Sequence, residues 1–190
     1  MQKIFSLVLI VLLVAIVGCK KESSSNPTNP NTPASNLYGS GSISFTADSL
    51  GNFNFSGTWT GASVGTSGTA VESLKGQSGS TYAAIINAYT WHSSTNWDHA
   101  MLEITSDGTP ITTSTYTAGD GLTFTFTKGG TSAASGSNVF VLSGGSCQVT
   151  SYSSSGMKGT ISGTATRYSD NATVSITNGT FDVTFGTYTM

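Results

Sequence analysis

From Gly41 onward, apolar and hydroxyl-bearing residues alternate with a period of two. Ile43, Phe45 and Ala47 interleave with Ser42, Ser44 and Thr46, and Leu122, Phe124 and Phe126 with Thr123, Thr125 and Thr127. Met157, Gly159, Ile161, Gly163 and Ala165 interleave with Lys158, Thr160, Ser162, Thr164 and Thr166. Such a period puts one set on each side of a strand. The segments therefore read as half-buried antiparallel strands, apolar inward and hydroxyl outward. β-Branched threonine suits a strand surface. Nearly one residue in three is serine or threonine, and only 8% are charged, against roughly 25% in ordinary domains. A net charge of −2 excludes the basic footprint of a nucleic-acid binder.

Turn signals punctuate the strands at Asp107-Gly108, Asp120-Gly121, Gly129-Gly130, Gly144-Gly145 and Asp170-Asn171. Asn178-Gly179 predicts a C-terminal hairpin, because both turn positions favour positive φ. A two-residue loop there sets Ile176 opposite Phe181 and Val174 opposite Val183, apolar against apolar. The run Tyr82 to Tyr89 is apolar on both parities and predicts a strand packed on both faces. The expected fold is all-β: a single antiparallel sandwich or barrel of about 10–12 strands.

The N-terminus reads as an address. Ile4 to Val17 are apolar apart from Ser6, a run too short to cross a bilayer, which takes about 20 helical residues. With Lys3 before it, the run has the pattern of a secretory signal. It ends in Ile16-Val17-Gly18-Cys19, which resembles a bacterial lipobox. That resemblance implies cleavage before Cys19 and a covalent diacylglycerol on its sulfur as the membrane anchor, with no other cofactor. Lys20, in place of an inner-membrane retention aspartate, implies the outer membrane. Residues 1–18 are then a signal peptide. Residues 19–40, holding three of the chain's four prolines, form a lipidated, disordered tether, and 41–190 form the all-β domain. With Cys19 lipidated, Cys147 has no intrachain partner and reads as a small buried hydrophobe.

Gly159-Thr160-Ile161-Ser162-Gly163-Thr164 followed by Ile176-Thr177-Asn178-Gly179-Thr180-Phe181 resembles the ending of small β-rich lipoproteins of Bacteroidota, a family whose role is uncharacterised. The resemblance implies a β-sandwich-like lipoprotein and no particular activity.

Candidate chemistry is sparse. The chain has two histidines, no H-E-x-x-H helix and no zinc-spaced Cys/His cluster. Glu103 and Asp182 fall on outward parities, where carboxylates are usually solvated. A metal site of His92, Asp98 and His99 would need a loop to gather them. The sequence points to no enzyme. Binding character concentrates in Tyr89 to His99, expected as a loop between two strands. Its Trp91, His92, Trp97 and His99 are the candidate ligand-binding residues. Exposed aromatic faces beside amides and hydroxyls suit sugar stacking, and rigid β scaffolds commonly carry function on loops. The competing reading has Trp91 and Trp97 folding back to cap the core. Trp59 continues the inward parity of Phe53 and Phe55 and reads as core. Gly57-Thr58-Trp59 is also similar to the lipocalin G-x-W motif, which implies a small-ligand carrier. The expected role is a non-catalytic binding or envelope-structural domain with a glycan or an envelope protein as partner.

Overall fold

A computed structural model describes residues 37–59, 68–93, 95–130 and 138–187. The alternating segments become ten strands: β1 (Ser40–Ala47), β2 (Gly51–Thr58), β3 (Gly68–Ser78), β4 (Thr81–Ser93), β5 (Asn96–Asp107), β6 (Thr115–Ala118), β7 (Gly121–Gly130), β8 (Val139–Tyr152), β9 (Gly156–Arg167) and β10 (Thr173–Thr184). They pair in the order β2-β1-β10-β9-β8-β6-β7-β5-β4-β3, a single barrel that is nearly closed. Ladders are antiparallel except for the short β6–β7 contact. β8 pairs β7 at one end. Further along it pairs β6, which wedges between the two.

The barrel has one unsealed seam, between β2 and β3. Isolated bonds bridge it in place of a ladder. Trp59 N donates to Val71 O (3.0 Å), and Ser73 N to Tyr38 O (2.8 Å). Gly186 N donates to Ser73 O (2.9 Å). Thr69 Oγ1 donates to Ser56 O (2.6 Å), and Ser73 Oγ to Thr184 O (2.6 Å).

The inward parities are those the alternation sets. Ile43, Phe45, Ala47, Phe53, Phe55, Leu122, Phe124, Phe126, Met157, Ile161 and Ala165 are all buried. Phenylalanines from four strands meet across the interior. Phe45 stacks on Phe53 at 4.7 Å and meets Phe124 and Phe126 edge-on at 5.2 and 5.1 Å. Phe126 stacks on Phe140 at 5.0 Å. Side chains fill the interior, as in small barrels generally. Two shallow hollows among the described residues are open to solvent and largely polar. One runs along Ser44, Asn54 and Asn178, and the other along Ser153, Lys158 and Asp182.

Three expected turns lie within strands, and Gly129-Gly130 forms the end of β7. Asn178-Gly179 does not make a hairpin: β10 runs through it as one strand. There β10 advances three residues, Ile176 to Gly179, while β9 advances two, Gly163 to Ile161. The offset against β1 is the same. This is a β-bulge, with Asn178 at φ 53°. The bulge moves the inward set from Val174 and Ile176 to Phe181 and Val183. A Cβ on Gly179 would collide with the carbonyl and side chain of Ile161. Gly144-Gly145 likewise marks a bulge in β8, between Leu142 and Gly144. Asp170-Asn171 does turn the chain, with Asn171 at φ 59° and Arg167 Nε held by Asp170 Oδ1 (3.0 Å).

Candidate functional site

Most of the barrel's outward side chains are serine and threonine. The outer face of β3, β4 and β5 is different. Even-numbered Ala84, Ile86 and Ala88 of β4 belong to the core, so the odd-numbered residues point outward. Register places Gly68, Trp91 and Trp97 in one row and Ala70, Tyr89 and His99 in the next. Glu72, Asn87 and Met101 follow, then Leu74, Ile85 and Glu103. β4 is thus packed on both faces, as its doubly apolar run requires.

One end of this face is aromatic. Tyr89 stacks on Trp91 at 5.6 Å and on its register partner His99 at 4.6 Å. Trp97 lies 5.8 Å from Tyr89 and 6.1 Å from His99. Trp59 joins from the end of β2, 5.4 Å from Tyr89 and 5.6 Å from Trp91. It is half-buried on this cluster and does not enter the core. Small Gly68 and Ala70, opposite Trp91 and Tyr89, leave room for it beside β3. Trp91 is buried, while Trp59, Tyr89, Trp97 and His99 are half-buried.

The segment from Tyr89 to His99 is therefore a hairpin. β4 continues to Ser93, and β5 begins at Asn96. Cross-strand pairing of Trp91 with Trp97 and of Tyr89 with His99 extends both strands to the tip, because aromatic pairs stabilise a ladder. Trp91 and Trp97 accordingly lie on the outer face and do not cap the core. Alternation separates His92 from them. Its Nε2 lies 3.0 Å from Asp98 Oδ2, and Asp98 Oδ1 accepts from Gly129 N (2.8 Å). Of the four expected residues, Trp91, Trp97 and His99 come together and His92 does not. Among the described residues no group of three or more His, Cys, Asp or Glu could hold a metal ion.

Carboxylates complete the face. Glu72 accepts from Asn87 Nδ2 (3.0 Å). Burial raises its pKa, and the Asn87 bond offsets part of that rise. Glu103 points outward yet is only 4% exposed, with Ile85 at 5% and Asn87 at 7%. Burial raises the Glu103 pKa as well, so it is not the solvated carboxylate its parity suggests. Burial lowers His99 to about 4, and Tyr89 is pushed up to about 12 by burial and the nearby Glu72 charge. His99 Nε2 and Glu103 Oε1 are buried with no hydrogen-bond partner. Unpaired buried polar atoms are rare and call for a reason. The sequence flagged Glu103 as outward. It did not single out Glu72 or Asn87, although an amide amid the apolar run Ala83 to Tyr89 is itself a signal that a polar partner lies across the strand.

Elsewhere, Asp182 pairs with Lys158 at 2.7 Å on the exposed surface. Cys147 is free and buried, its thiol pushed up to about 12 by burial. Cys19 lies outside the described residues. No described helix is long and apolar enough to cross a membrane. Compared with family models, curated proteins and solved structures, the chain matches none.

Proposed function

We propose that this protein is a lipid-anchored, non-catalytic glycan-binding module of the cell envelope. Diacylglycerol on Cys19 holds it to the outer membrane, and the residues between Cys19 and the barrel tether it, in keeping with the resemblance to Bacteroidota lipoproteins. The observation that carries the binding role is the cluster of Trp59, Tyr89, Trp91, Trp97 and His99 on adjoining strands. A rigid sheet holds these rings, so little side-chain entropy is left to lose when a ligand stacks on them. Pyranose rings have apolar faces that match aromatic ones and rims of hydroxyls that match Asn87 and the carboxylates. The packed Phe45, Phe124 and Phe126 interior does not favour the carrier reading drawn from Gly57-Thr58-Trp59.

Two experiments test the parts separately. Full-length protein in detergent should retain glycans on an array and lose them in the Tyr89→Ala plus Trp97→Ala variant. Glycan retention unchanged in that variant would reject this face. Cys19→Ser should abolish radiolabelled palmitate incorporation and membrane fractionation, and labelling that persisted would reject the anchor.

A further inference from the structure

We propose that the outer face takes a linear, uncharged oligosaccharide lengthwise along β5. The aromatic end grips one sugar, and Glu103 accepts a hydroxyl from another further along. The inference rests on the glycan reading above and specifies its ligand.

Geometry sets the length. His99, Met101 and Glu103 occupy successive outward positions on one strand. At 3.2–3.4 Å per residue, His99 and Glu103 stand about 13 Å apart, a span that a single pyranose ring cannot cover. Two buried atoms without partners among the described residues, His99 Nε2 and Glu103 Oε1, sit at its two ends. Both can accept a hydrogen bond: Glu103 as a carboxylate, and His99 through Nε2 when its neutral ring carries the proton on Nδ1. Hydroxyl groups donate, so a hydroxyl-rich chain satisfies both. Between them half-buried Met101 offers apolar surface to a sugar face.

Charge sets the class. The face carries Glu72 and Glu103. The lysines nearest in sequence turn elsewhere, Lys75 to the Phe185 ring and Lys128 to the Phe53 ring. A uronate or sulfated glycan would bring negative charge against two carboxylates. Exposure sets the order of contact. The aromatic end is half-open, whereas Glu103 is buried. A ligand therefore meets the rings first and Glu103 last.

All three tryptophans of the chain belong to the aromatic cluster, so selectively excited tryptophan fluorescence reports on this face. Full-length protein in detergent is titrated with cello-, xylo-, manno- and malto-oligosaccharides from monosaccharide to hexasaccharide, and with oligogalacturonates. In at least one neutral series, affinity should rise about tenfold or more with length and then level off. Glu103→Gln should lose that increment while keeping the short-ligand affinity, and oligogalacturonates should bind at least tenfold more weakly. Unfolding of Glu103→Gln is followed by circular dichroism. If that variant does not fold, Glu103→Met, which fills similar space without an acceptor, serves instead, with the same expected loss. Neutral binding with no length dependence, an unchanged increment in the variant, or equal binding of oligogalacturonates overturns this inference and leaves the glycan reading standing. Absence of any saccharide response overturns both.

Discussion

Protonating His99 would put a charge where the surrounding rings cannot solvate it. Its pKa falls to about 4 by burial, from the ordinary 6.5. Between those values the unfolded chain binds a proton and the folded chain does not. Stability therefore falls as pH drops through this window, by up to about 1.4 kcal/mol per pH unit. Glu72 and Glu103 act in the opposite sense. Their raised pKa values make the folded chain the better proton acceptor, so what they contribute is lost as pH rises above the unfolded carboxylate range. Comparison with a variant separates the two. Denaturant midpoints at pH 7 and pH 5 should converge in His99→Phe, which keeps the stack on Tyr89, more than in the parent. An equal loss in both proteins would mean that the imidazole is solvated. Gly179 offers a second test at this scale. Ala at this position has to displace Ile161 and should cost about 1–3 kcal/mol in chemical denaturation. A true hairpin turn at the surface would tolerate the change better.

The β4–β5 hairpin depends on one carboxylate at its tip. Asp98 takes hydrogen bonds from Gly129 N and from His92, fastening β5 to β7 just where their register shifts. Asp98→Ala leaves the Gly129 amide unpaired. It should cost about 1–3 kcal/mol and speed hydrogen exchange at Gly129 ahead of the β5 centre. Uniform exchange along β5 would argue against a local role. At this scale, much of the architecture was legible in the chain. Period-two alternation located the strands, and the doubly apolar run Tyr82 to Tyr89 located the strand packed on both sides. The bulge in β10 was not legible, for a definable reason. A two-residue hairpin and a one-residue bulge both need positive φ at Asn178, and both put Val174, Ile176, Phe181 and Val183 on one face. Only the neighbours Gly163, Ile161, Thr46 and Ser44 distinguish them, and those are far away in sequence. Trp59 escaped for a similar reason, since its parity says inward while its ring reaches across β3. Three of the four expected binding residues do share a face. Alternation alone would have removed His92, had Tyr89 to His99 been read as strand.

Cys147 can report on opening of the whole barrel. The thiol is fully buried between β9 and β6 partners, Ile161 and Tyr116, and burial keeps it protonated. Iodoacetamide should label it only at the rate of opening, with labelling rising in parallel with loss of tryptophan signal in urea. Labelling well below the unfolding midpoint would reveal independent opening of the β6–β8 wedge. The seam has a consequence of another kind. Counted round the barrel from it, the strands run β3, β4, β5, β7, β8, β9, β10, β1, β2, with β6 between β7 and β8. Leaving that wedge aside, every neighbouring pair but β10–β1 is also adjacent along the chain. Ser40 and Thr184 are register partners. A circular permutant that joins those two strands by a short turn and opens the chain between Thr58 and Gly68 would break no ladder. It would be a plain meander with almost entirely local contacts, and lower contact order speeds folding. The native chain must instead bring its first described strand to its last before the barrel can close.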